Sequence, residues 1–155
     1  MYQTVSALTL PDTGQTTSYT STFGEDHDYT LRAPSYTNNG STITDNITGL
    51  VWQKEDDNNI YPWGGAVTYC DNLTLGSQSD WRLPTRRELM SIVDYGVFNP
   101  GINSTYFPNT NSSSYWSSSS NANNSSEAWR VYFDFGNVSS TLKFFSYNVR
   151  CVRGG

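Results

Sequence analysis

The chain has 155 residues, enough for one domain with its own core. Aromatic and charged residues each make up 15%, a balance that excludes a disordered chain or coiled coil and suits a loop-rich, sheet-containing domain. The net charge of -5, with no basic stripe, argues against nucleic acid as a partner, and no apolar run is long enough to insert in a membrane.

Residues 1–40 are polar and rich in Thr, Tyr, Ser and Gly, and form an N-terminal extension of the same domain. The start, Met1-Tyr2-Gln3-Thr4, lacks the basic region and apolar core of a secretory signal, so the protein either stays inside the cell or has an export or anchor segment outside this sequence. Leu8-Thr9-Leu10 reads as a strand entering a Pro-Asp-x-Gly turn, and Tyr29-Thr30-Leu31 as another strand. The acidic stretch Glu25-Asp26-His27-Asp28 and the loop holding Glu55, Asp56 and Asp57 admit a structural calcium ion or plain solvation. Without an EF-hand pattern, solvation is the better reading and no cofactor is expected. Residues 41–46 and 48–53 read as two strands joined at Gly49.

Trp63, Val67 and Cys70 keep helical spacing, which predicts a core-facing helix over 63–73, its first turn weakened by Gly64-Gly65. Thr85 and Glu88 have the spacing of a capping box, with Pro84 holding Leu83 extended before it. A second helix is therefore expected over about 85–95, with Leu89, Ile92 and Val93 on one face and Gly96 as a stop. The two cysteines, Cys70 and Cys151, lack zinc spacing. They allow one long-range disulfide, worth roughly 4–5 kcal/mol by chain entropy, or two buried free thiols.

Thirteen of the sixteen residues from Asn111 to Ser126 are Ser or Asn, the usual composition of a linker. Too little chain follows for another domain, so the tract is read as loop and strand edge within a sheet. In 129–135 the odd positions Trp129, Val131, Phe133 and Phe135 are apolar and predicted to face inward, while Arg130, Tyr132 and Asp134 face out. Gly136-Asn137 signals a hairpin turn, and residues 142–145 and 149–152 read as the last two strands.

The series Thr44-Asp45-Asn46, Thr48-Gly49-Leu50-Val51-Trp52-Gln53, Tyr69-Cys70, Asp80-Trp81-Arg82-Leu83-Pro84-Thr85, Glu88-Leu89, Tyr115-Trp116-Ser117-Ser118 and Val149-Arg150-Cys151-Val152-Arg153 resembles the Lcl C-terminal domain family, named for a bacterial collagen-like adhesin. The likeness runs from about Leu10 to the end. The Arg82–Leu89 segment and the closing strand also resemble formylglycine-generating-enzyme-like domains. The resemblance implies an α+β, C-type lectin-like fold: a small twisted antiparallel sheet, two short helices, long loops, and a disulfide from the first helix to the last strand, here Cys70–Cys151. It also resembles the variable proteins of diversity-generating retroelements, whose changeable positions near the C-terminus are rich in Asn, Ser, Tyr and Asp.

The function expected is a non-catalytic ligand-binding module of the receptor or adhesin type, extracellular or at the cell surface, taking a protein or glycan partner. Tyr, Ser and Asn are the residues that binding loops favour. The candidate surface is Asn121, Asn123, Asn124, Ser125, Arg130, Tyr132, Asp134, Asn137, Ser139, Lys143, Tyr147 and Asn148. The alternatives are a formylglycine-generating-enzyme-like oxidoreductase, which would need free cysteines, and a structural or pilus-associated surface subunit.

Overall fold

In the computed structural model, which describes residues 12–28 and 32–155, the Arg82–Leu89 segment joins the two halves of the molecule. Thr85 extends the chain before a helix, α1 having come earlier at Trp63–Asp71 and α2 running Arg86–Met90. The capping box forms: the Glu88 N–H donates to the Thr85 hydroxyl at 3.3 Å, and the Thr85 N–H donates to the Glu88 carboxylate at 2.7 Å. The same carboxylate takes both terminal nitrogens of Arg82, at 2.9 and 2.7 Å. Arg82 exchanges two main-chain bonds with Val152, which fastens this segment to the end of the chain.

Helix α2 is shorter than the sequence predicts. After Met90 the amides turn to other partners: Asp94 N–H donates to Gly101 and Tyr95 N–H to Thr13, so residues 91–95 leave the helix. Their side chains keep the expected face, with Leu89, Ile92 and Val93 all buried.

Among the described residues nine strands make three small antiparallel sheets, consistent with the small-sheet α+β fold expected. The first has four strands in the order β1 (Tyr36–Asn38), β2 (Thr42–Asp45), β3 (Val51–Gln53) and β9 (Val152–Arg153). The β2–β3 pair is the hairpin expected around Gly49. The second sheet pairs β4 (Tyr61–Pro62) with β8 (Ser146–Tyr147). The third is β5 (Ser114–Asn121), β6 (Asn124–Tyr132) and β7 (Asn137–Leu142). The expected strands at 8–10 and 29–31 lie outside the described residues.

The Ser/Asn tract is thus mostly strand. Ser114 and Ser117 are buried, and the Ser117 hydroxyl donates to the Trp129 carbonyl at 2.7 Å. Tyr115 and Asn148 form a parallel bridge, in which Trp116 N–H donates to Asn148 and Asn148 N–H to Ser114, each at 3.1 Å.

Two cores lie on either side of the third sheet. Tyr115, Val131 and Phe133 join Leu89, Ile92, Ile43 and Trp52 in one. Trp116 and Ala128 join Ala66, Trp81, Val149 and the two cysteines in the other. Each large apolar side chain so buried contributes ~1.5–3 kcal/mol. Covering on both faces corrects the one-sided reading of 129–135: Ala128 is buried, and Trp129 and Arg130 are both half-buried. The strand also ends at Tyr132, so the alternation fails at Phe135, which is 51% exposed. Residues 133–136 turn instead, with the Gly136 N–H donating to the Tyr132 carbonyl at 2.9 Å. Gly136 is needed there: its φ is +84°, and a Cβ would sit 2.7 Å from both Val93 and Tyr95. Residues 143–145 are not strand, and Phe144 and Phe145 are exposed.

Cys70 on α1 and Cys151, one residue before β9, form the disulfide that the resemblance implied. The reading of two free thiols is set aside.

Candidate functional site

Cross-strand register decides which of the candidate residues meet. One rank across the third sheet is Ser114, Tyr132 and Asn137; the next is Trp116, Arg130 and Ser139; a third is Ser120, Ala128 and Thr141. Side chains of one rank share a face, and adjacent ranks of alternate residues stay on it. Tyr132, Asn137, Arg130 and Ser139 therefore form one continuous patch.

Tyr147, from β8, closes over this patch. Its ring lies 5.0 Å from Trp116, edge to face, and the Arg130 guanidinium carbon sits 4.8 Å from its centroid. Arg130 also donates to the Ser114 hydroxyl, while its Nε is buried with no hydrogen-bond partner. Toward the other end of the same face, Lys143 Nζ donates to the Ser120 hydroxyl at 2.8 Å and the Ser125 carbonyl at 2.9 Å, and lies 4.2 Å from the Trp63 ring.

Four further candidates stand apart. The Asn121 amide is spent on Glu127 of β6 and Ser140 of β7, both at 3.1 Å. Asn123 and Asn124 are exposed at the tip of the β5–β6 hairpin, the latter bonding Glu127. The Ser140 hydroxyl also donates to Glu127, and this bond first, then those from Asn121 and Asn124, hold the Glu127 carboxyl below its ordinary pKa. Asp134 lies in the 133–136 turn, where its carbonyl accepts from Asn99 N–H at 2.7 Å.

Asn148 is a correction. It is buried, with its main chain in the parallel bridge and its amide toward the Asn59 carbonyl, so it belongs to the interior and not to an exposed surface. The period-two rule could not reveal this, because residue 148 lies outside any regular strand.

The reading also passed over the sheet's opposite face. There α2 docks through Arg86, whose N–H donates to the Ser119 hydroxyl at 3.0 Å and whose guanidinium carbon lies 4.5 Å from the Trp129 ring centroid. The adjacent pair Arg86-Arg87 in an acidic chain was the signal available.

The acidic loops are occupied by their own neighbours. Asp57 accepts from Asn59 and the Tyr61 hydroxyl, and Asp56 from Arg150 and the Tyr115 hydroxyl. Among the described residues no group of three His, Cys, Asp or Glu side chains is arranged to hold a metal ion.

Among the described residues, two short α-helices, three small antiparallel sheets and a helix-to-C-terminus disulfide define an α+β domain. The chain belongs to the Lcl C-terminal domain family, whose model matches residues 41–153. That span begins later than the likeness read from about Leu10 and starts just before β2. No curated protein matches the chain. No helix among the described residues is long and apolar enough to cross a membrane.

Proposed function

We propose that the chain is a non-catalytic, adhesin- or receptor-type binding module whose ligand, a protein or a glycan on another surface, docks on the sheet face around Arg130 and Tyr147. Arg130 carries the argument. Its guanidinium is held in place by Ser114 and the Tyr147 ring, and among the described residues no carboxylate pairs with it. A prepositioned arginine among tyrosines is the composition of a binding hot spot, since little side-chain entropy remains to be lost on docking.

The finer reading is a variable protein of a diversity-generating retroelement. Asn124, Ser125, Asn137 and Ser139 are exposed on strands and Asn123 on the turn between β5 and β6, so their side chains can change while the fold stays. The disulfide supports an extracellular or surface location and leaves no free thiol for the oxidoreductase alternative.

Screening the purified domain against glycan and surface-protein arrays tests the binding reading, with Arg130→Gln as the paired probe. A ligand that binds both proteins equally would remove Arg130 from the site, and hydrolysis or oxidation of an arrayed compound would remove the non-catalytic assignment. Gene sequences from many isolates test the finer reading: changes concentrated at Asn codons within 111–148, beside a reverse transcriptase and a near-copy of the 3′ end, are expected. Uniform variation along the gene overturns it.

A further inference from the structure

Behind the face that carries Arg130, the β5–β6 hairpin and the start of α2 enclose an open trough of about 520 Å³. Arg86 and Arg87 line one side, Ser119, Asn121 and Asn123 the other, with Trp129 between them in the sheet. Because Trp129 and Arg130 are consecutive in β6, their side chains leave opposite faces, and this trough is separate from the patch around Tyr147.

The two arginines, adjacent in sequence, share a cavity and lack the carboxylate that three other arginines hold. Arg82, Arg150 and Arg153 each hold a carboxylate. Among the described residues, the guanidinium groups of Arg86 and Arg87 have neither an ion pair nor a hydrogen bond; Arg86 has only its stacking on Trp129. Glu127, on the same face as Trp129, is engaged within the sheet by Asn121, Asn124 and Ser140 and neutralises neither arginine. Two adjacent, unneutralised cations are thus kept beside a cavity in a protein of net charge -5.

The geometry points to a second binding site, one that takes the carboxylate side chains of an acidic peptide segment. A guanidinium stacked on an indole loses freedom about its own axis, while its in-plane N–H fork stays available for a planar, two-oxygen acceptor. One face of the Trp129 ring is taken by that guanidinium, which disfavours the ring-on-ring stacking a neutral sugar would use. Asn123 and Ser119 place an amide and a hydroxyl along the far wall, where a peptide main chain can bond them. Recognition of acidic segments by arginine pairs is a recurring mode.

The test uses the full chain and a blocked peptide of sequence GESEG, followed by the NMR shift of the Trp129 indole N–H, with blocked GQSQG, glucuronate and a sulfated disaccharide as comparisons. The acidic peptide is expected to bind at least about ten-fold more tightly than its amide counterpart, a difference of about 1.4 kcal/mol. Raising the salt should weaken it. The double variant Arg86→Gln/Arg87→Gln, and Arg87→Gln alone should docking of α2 suffer in the double, is expected to lose most of that preference, while Arg32→Gln keeps it. Equal binding of the two peptides overturns the proposal, as does an unmoved Trp129 signal on the order of millimolar peptide. Retained preference in Arg87→Gln together with the double variant does the same. Tighter binding of glucuronate or the disaccharide than of the peptide would give the trough to a glycan instead.

Discussion

The guanidinium of Arg150 lies 3.3 Å from the carboxylate of Asp56, and neither side chain reaches solvent. Arg150 also donates to the Gln53 and Lys54 carbonyls and to the Thr110 hydroxyl, while the Tyr115 hydroxyl donates to Asp56 at 2.6 Å. Burial lowers the Arg150 pKa and Asp56 pulls it back up; burial and the same carboxylate push the Tyr115 phenol well above its usual range. One buried ion pair therefore ties the closing segment to the loop after β3 and to the start of β5. Removing one partner of such a pair leaves the other charge stranded in the interior, at a cost of about 3–5 kcal/mol. Arg150→Met is expected to lower the urea midpoint accordingly, and Asp56→Leu to do likewise. If Arg150→Met/Asp56→Leu together recover most of the loss, the cost lay in the stranded charge.

The disulfide should be as consequential. Cys151→Ser is expected to cost about 2–5 kcal/mol. Peptide mapping without reduction should give one linked species joining the Cys70 and Cys151 peptides. Recovery of both cysteines alkylated would contradict the bridge.

Glu88 should matter more than Thr85, although the capping box makes them formal equals. Thr85→Ala is expected to cost roughly 1 kcal/mol. Glu88→Ala removes the acceptor of two Arg82 bonds as well, and is expected to cost about 1–3 kcal/mol. Urea titration of the two variants ranks them directly.

A pH dependence follows from the same carboxylate. Burial raises the Glu88 pKa, but the hydrogen bonds from Arg82 and Thr85 outweigh it and hold the group below its ordinary value. A carboxyl with a depressed folded pKa contributes stability above its unfolded value, about 4.3, and that contribution is lost as pH falls through the folded pKa. Melting temperature against pH should fall less steeply on the acid side for Glu88→Gln than for the parent. Parallel curves would assign the acid sensitivity to other groups.

Replacing Asn123, Asn124, Ser125, Asn137 and Ser139 together is expected to keep the melting temperature within a few degrees. Asn121 and Tyr147 are left out because their internal contacts are part-buried, whereas the bond from Asn124 to Glu127 is exposed. Phe133→Ala opens a cavity in the core and should cost about 3–5 kcal/mol, whereas the exposed Phe135→Ala should cost far less. Calorimetry of the three proteins checks the order.

The contrast between Phe133 and Phe135 shows how far residue patterns reach. Local signals such as the capping box, the Cys70 helix and the β2–β3 hairpin were legible because each depends on residues a few positions apart. Period two placed Val131 and Phe133 but could not see the strand stop at Tyr132, where the turn is set by Gly136 fitting against Val93 and Tyr95. The burial of Ala128, Ser117 and Asn148 was hidden for a related reason: it comes from a second core across the sheet and a bridge between distant segments. In the candidate site, Arg130, Tyr132, Asn137, Ser139 and Tyr147 do come together on one face, whereas Arg86 reaches Trp129 only through the packing of α2.

The parallel bridge between Tyr115 and Asn148 has a practical meaning for engineering. The stretch from Tyr115 to Asn148, which carries most of the third sheet and β8, begins and ends at this bridge, so its ends are already joined. Lengthening such a stretch at its outer bend does not pull on the rest of the domain, and the entropy of closing a longer bend grows only slowly. Ala122 and Asn123, exposed where β5 turns into β6, are the natural graft point, and foreign loops inserted between them would be carried outward on a base anchored by Val131 and Phe133.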